Sequence, residues 1–352
     1  LPDPVATVDP NKGGSPQDHF NTVLYTGNAG TQNITGVGFQ PDWVWLKPRS
    51  YADNHVLFDS VRGVNQTLYA NTSGAEADRT GNDSLTAFGS DGFSIGDWNN
   101  INTNNGTLVS WNWKAGTAFS NDASSTGVGS IDSAGSVNTD VGFSIIGYTG
   151  TATIGTIAHG LSSAPDMLIV KNRSATEPLA TYHSSLGAHF GTYLSESATP
   201  YDLNIYWNDT EPTSSVFTVN THTIVNANTN SMIAYCFHEV EGYSKFGKYT
   251  GNGNADGTFV YTGFRPAWVM IKRADSASSW SIHDTARDTF NVTQKNLYAN
   301  LNAGEESQAT WQYDILSNGI KLIGTSGEIN ASGGTYIYMA FAEQPFKYAN
   351  AR

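Results

Sequence analysis

Three stretches of this chain repeat one another, and that repetition limits the folds open to it. Tyr25-Thr26-Gly27, Tyr148-Thr149-Gly150 and Tyr249-Thr250-Gly251 precede Pro41, Pro165 and Pro266 by 16, 17 and 17 residues. Lys47, Lys171 and Lys272 follow those prolines by six residues each time. A period of roughly 100 residues is too long for a solenoid unit and suits a small domain. The spacing predicts three copies of one domain over residues 20–116, 141–242 and 243–352.

The copies read as strands. Val109, Trp111 and Trp113 alternate with smaller residues, as do Ile233, Tyr235 and Phe237, and Ile337, Met339 and Phe341. Period two marks a strand with one buried face. Asp42 to Lys47, Asp166 to Lys171 and Ala267 to Lys272 are instead continuously apolar between their ends, as expected of a central strand covered on both sides. Short runs such as Val56-Leu57-Phe58 and Phe93-Ser94-Ile95 alternate with Gly, Asn, Asp and Ser, and no segment carries a sustained helical stripe. The fold expected is all-β: three tandem β-sandwiches, jelly-roll or lectin-like. Residues 1–19 contain four prolines and read as an extended connector. Residues 117–140, rich in Gly, Ser and Asn, read as a linker that leaves repeat 1 mobile. The tight junction at Glu241-Gly242 predicts that repeats 2 and 3 form a fixed pair. A start at Leu1 rather than Met reads as that of a processed product or a piece of a longer protein.

Charge narrows the functions. Among 352 residues only 14% are charged, and the net charge is −13. Nonspecific nucleic-acid binding and adhesion to anionic lipid both need clustered Lys and Arg, so both are set aside. No apolar run reaches the length of a membrane span. The single cysteine, Cys236, aligns with Asn112 and Ala340 and reads as a small strand residue rather than a reactive thiol.

Aromatic residues are the candidates for binding. Trp43 and Trp45 share one face of a strand, but Met167 and Ile169 stand in their places in repeat 2, which keeps apolarity and not ring shape, as packing requires. Trp98, Trp207, Trp280 and Trp311 lie outside the repeated apolar frame beside polar residues, and a platform for sugar stacking is expected there. Asp59 with Arg62, and Asp284 with Arg287, read as turn braces; a glycoside hydrolase would need a second carboxylate with diagnostic placement, and none is evident. His183 and His189 read as surface residues. Loops at Asn82-Asp83, Asp97 to Asn105 and Asn252 to Asp256 have the composition of Ca²⁺ loops, but turn formation accounts for them as well. No nucleophile elbow, P-loop or zinc pattern is present, and no other cofactor is implied.

The phrases Phe20 to Gly27, Val37 to Trp45, Phe88 to Phe93 and Tyr336 to Glu343 resemble those of a domain of unknown function. That domain recurs in predicted tail and virion proteins of marine and other tailed bacteriophages. The resemblance spans Phe20 to Arg352 and brings no functional residues with it. It implies a non-catalytic virion protein at the particle surface, whose partners are other virion proteins and a host-surface glycan. Tail fibres are often trimers, and a homo-oligomer of that kind is expected, although no heptad stretch encodes one. The alternatives are a purely structural tail or capsid-decoration protein and, from the divergence of repeat 2, a polysaccharide-degrading enzyme.

Overall fold

Backbone pairing is antiparallel in every named pair of strands of this computed structural model, which describes residues 3–81 and 83–349. Leu1, Pro2, Asn82 and residues 350–352 lie outside the described residues. Repeat 1 forms a six-stranded sheet in the order Phe20–Thr26, Thr107–Trp113, Trp43–Pro48, Val56–Asp59, Gln66–Tyr69, Ala77–Asp78. Repeat 3 uses the same order: Ser244–Thr250, Thr335–Pro345, Phe264–Arg273, Trp280–Asp284, Lys295–Tyr298, Glu306–Ser307. Repeat 2 keeps it too, from Phe143–Thr149 through Ser231–Phe237, Met167–Asn172, Ala180–His183 and Phe190–Tyr193 to Tyr201–Asp202. Beside each large sheet lies a small one: Gln32–Thr35 with Gly92–Ile95 and Leu85–Gly89, Gly155–Ala158 with Val216–Val219, and Phe259–Tyr261 with Gly319–Leu322 and Tyr313–Leu316. The protein is all-β, as the strand periodicities predict.

Each central strand is buried on both faces, and alternation sends its residues into two cores. Val44 and Leu46 pack with Ile34, Phe93 and Ile95 of their own small sheet, while Trp43 and Trp45 point the other way. Leu168 and Val170, and Val269 and Ile271, behave like Val44 and Leu46. Met167, Ile169, Trp268 and Met270 join Trp43 and Trp45 in a fourth core to which all three repeats contribute. There Trp43 stacks on Tyr235 with ring centroids 4.6 Å apart, Trp113 meets Trp268 at 5.8 Å, and Phe20 stacks on Phe341 at 5.1 Å. Repeat 1 is therefore not set apart from a fixed pair: its four framework tryptophans form much of the shared core.

Polar joints between repeats follow one cyclic pattern. Tyr235 of repeat 2 donates to Asp59 of repeat 1 (2.7 Å), and Trp111 of repeat 1 donates through Nε1 to Asp284 of repeat 3 (3.0 Å). His183 stands at the corresponding place in repeat 2 and donates through Nε2 to the Tyr338 carbonyl of repeat 3 (3.1 Å). His183 is thus buried between repeats rather than at the surface; His189 is exposed. The repeated lysines complete the cycle. Lys47 donates to the carbonyl of Asn302, Lys171 to that of Ser73 and Lys272 to that of Ser197. Arg173 clamps Glu76, and Arg49 clamps Glu305, each through two guanidinium nitrogens. The joint between repeats 2 and 3 has Pro200 and Ala274 at the matching positions and holds instead by Trp280 Nε1 on the Tyr193 carbonyl (2.9 Å).

Two segments expected as connectors are structure. Residues 117–140 supply Thr117–Asn121 and Ser133–Asn138, which pair onto Phe143–Thr149 and widen the repeat 2 sheet to eight strands. Their small residues suit close approach: a Cβ on Gly135 would lie 1.8 Å from the Ile145 carbonyl oxygen. Near the N-terminus, Pro10 and Pro16 open short 3-10 turns capped by the Asp9 and Ser15 side chains, a placement that suits proline because the first helical N–H has no partner. Val8 is fully buried in the shared core, and Gln17 donates to the Glu343 carbonyl (2.6 Å), tying the beginning of the described chain to its end.

Candidate functional site

Three copies in one chain provide an internal control: what they share serves the fold, and an exposed departure in one copy needs another reason. The Tyr-Thr-Gly motif belongs to the first class. Tyr25, Tyr148 and Tyr249 donate to the carbonyls of Ile101, Val225 and Ile329, each inside a one-turn helix: Asn99–Asn102, Thr223–Asn226 and Gly327–Asn330. The glycines are sterically required, since a Cβ on Gly27, Gly150 or Gly251 would come within 2.2, 2.1 or 2.4 Å of a carbonyl oxygen of the helix exit.

The last residue of each helix is a buried asparagine that sequence reasoning missed. Asn226 accepts from the Thr151 amide (2.8 Å) and donates to the Thr153 and Asn220 carbonyls (2.6 and 2.9 Å). Asn102 and Asn330 make the same kind of three-way contact. The signal was there: each asparagine follows Ile or Val and stands five residues before the closing strand begins at Thr107, Ser231 or Thr335.

The residue that precedes each helix is where the copies part. His222 accepts from the Ile224 amide and Ser326 from the Glu328 amide (both 3.2 Å), as N-caps do. Repeat 1 places Trp98 there, and no side chain caps the helix. Trp98 is half-buried, with the Arg79 guanidinium carbon 3.9 Å from its ring centroid, a cation–π stack. Arg79 is held in turn by the Tyr69 hydroxyl (2.6 Å). Ring and guanidinium lie in an open depression of about 740 Å³ lined also by Ala29, Gly81, Asp83, Asp97 and Asn99. The ring also packs on the repeat 1 core, and what remains open is its edge and the stacked guanidinium, ringed by amide and carboxylate groups that can hydrogen-bond sugar hydroxyls.

The other three tryptophans differ. Trp207 and Trp280 are each 1% exposed, the first in the repeat 2 core and the second in the shared core, so neither offers a ring face to a ligand. Their polar sequence neighbours misled because polar residues are buried there too: Ser279 and Ser281, on either side of Trp280, are 8% and 1% exposed. Trp311 is half-buried, its ring edge-on to Tyr298 at 5.5 Å. The four tryptophans belong to separate places and make no common platform.

Among the remaining candidates, Asp59 and Asp284 brace Arg62 and Arg287 within buried turns. Cys236 is buried, and desolvation pushes its thiol up to about 12. The Asn252 and Asn254 side chains accept from amides two residues ahead, the turn role expected of them. Asn82 lies outside the described residues, and among those described no cluster of His, Cys, Asp and Glu is arranged to hold a metal.

A family profile matches residues 15–345, all three repeats as one unit. The chain belongs to the family described as a domain of unknown function, DUF7483. Among curated proteins none matches it. The family's description names no activity, so function has to be argued from the repeats and their departures.

Proposed function

We propose that this DUF7483 protein is a non-catalytic component of a phage virion surface that attaches to host glycans. The observation that carries the reading is Trp98: a helix cap, worth about 1 kcal/mol, is given up for a half-buried indole that packs on the repeat 1 core and borders an open polar depression. Local rules broken at the surface mark sites under selection for something other than stability. Net charge of −13 directs the reading to neutral or basic saccharides. Each large and small sheet pair, over residues 20–116, 141–242 and 243–352, makes one sandwich of a lectin-like kind. A virion displaying several copies, as trimers or otherwise, raises weak single-site affinity by effective concentration.

The test is a glycan array probed with the intact chain in multivalent form, with Trp98→Ser alongside. Serine caps the matching helix in repeat 3, and because the Trp98 ring also packs on the repeat 1 core, the melting temperature of the variant is recorded with the array. Signal confined to one glycan class and lost in the variant supports adhesion. An empty array together with no retention on host cells shifts the assignment to a structural tail or decoration protein, a reading favoured by the shared core and the clamped joints.

A further inference from the structure

The outer face of the small sheet in repeat 3 carries a second departure, unconnected with Trp98. The strand Phe259–Tyr261 matches Gln32–Thr35 and Gly155–Ala158 through the buried Val260, Ile34 and Ile157, which face Ile320, Phe93 and Phe217. The positions flanking that residue are Asn33 and Thr35 in repeat 1, Thr156 and Ala158 in repeat 2, and Phe259 and Tyr261 in repeat 3. The fold asks for no aromatic there. Phe259 is nonetheless 42% exposed and Tyr261 47%. Two residues apart on one strand, they face the same way with about 7 Å between them. Opposite Tyr261 is Gly319, and the end of the Phe259 ring lies 3.1 Å from where a Gly319 Cβ would be, so the platform has no protruding side chain at that point.

Polar groups stand at both ends. Lys321, opposite Phe259, holds Asp256 (2.6 Å), and Asp314 pairs with Lys321 on the next strand. At the other end Tyr261 borders a notch with Glu241, Pro345 and Phe346. We infer that Phe259 and Tyr261 form a stacking platform for a flat, neutral, β-linked hexose chain. The two half-exposed rings offer about 200 Å², far below the ~800 Å² per partner of a stable protein interface. Lys321 neutralises Asp256, and Lys347 shares the notch with Glu241, so charge beside the rings is balanced and gives a uronate or sialic acid no net attraction, whereas sugar hydroxyls can bond to these groups.

The probe is cellohexaose, titrated into the intact chain and followed by NMR. Phe259→Asn with Tyr261→Thr installs the side chains of repeat 1, so the melting temperature is expected to hold while affinity falls about tenfold or more. Phe259→Leu, which keeps an apolar side chain and removes the ring, must weaken binding as well, and Trp98→Ser must leave it intact. No binding by the parent chain, or affinity unchanged in either platform variant, overturns the inference. Loss of cellohexaose binding in Trp98→Ser would also overturn it by assigning that ligand to the other site.

Discussion

At the residue scale, the repeated lysines show how a sequence pattern can be recognised without its meaning. Their spacing is plain in the chain, yet only the structure shows Lys47, Lys171 and Lys272 reaching carbonyls of a neighbouring repeat. Burial moves Lys47 down to about 7 and Lys171 and Lys272 down to about 8. The unfolded chain therefore holds more protons between those values and 10.5, and stability rises with pH across that window by up to about 1.4 kcal/mol per unit per lysine. Buried His159 and His183 are lowered to about 4 and His283 to about 3, again by desolvation, and His55 is held well below its usual range. The stability due to neutral histidines is complete above 6.5 and is lost as pH falls toward 4. Tyrosines such as Tyr148 and Tyr235, raised by burial, reverse the trend above pH 10. Denaturant melts across the pH range should show stability still falling at and below pH 4 and a maximum between about pH 9 and 10. A maximum near pH 6 would mean that the lysines are not desolvated as described.

Element by element, strands were legible and caps were not. Alternation at Trp111, Tyr235 and Met339 and the continuous apolar runs identify the closing and central strands, because burial on one or two faces writes directly into the pattern. The one-turn helices are too short for a periodic signal, and the hairpin within residues 117–140 is built from small residues whose fit lies in backbone approach. The proline-rich start misled because proline suits an extended chain and the first position of a turn equally. Asn226→Ala should cost about 3 kcal/mol in equilibrium unfolding, since it strands one buried amide and two carbonyls. Trp98→Ser gains a cap worth about 0.5–1 kcal/mol and gives up ring packing on the repeat 1 core, so its stability should stay within about 1 kcal/mol of the parent. A loss above 2 kcal/mol would make Trp98 a structural residue.

For the whole molecule, the shared core converts a tandem repeat into one cooperative body. Any repeat taken alone would expose the Trp-, Tyr- and Phe-lined face that it now buries against its neighbours. Calorimetry should therefore give one transition for the intact chain, and residues 141–242 expressed alone should lack cooperative unfolding; three separate transitions would contradict the shared core. Arg173→Ala, which opens the clamp on Glu76, should lower stability by about 1–2 kcal/mol without splitting the transition. Repetition, class and most core positions were readable from one chain. Cyclic closure was not, because contacts such as Tyr235 with Asp59 join residues 176 apart that no local pattern connects. The departures at Trp98, Phe259 and Tyr261 stand out only against the residues that the other two repeats carry at the same positions. The most direct measurement is the glycan array read for parent and Trp98→Ser chains, with melting temperatures recorded on the same preparations. We expect glycan signal in the parent, its loss in the variant and a melting temperature close to the parent's. Undiminished glycan signal in a well-folded Trp98→Ser chain would contradict the account.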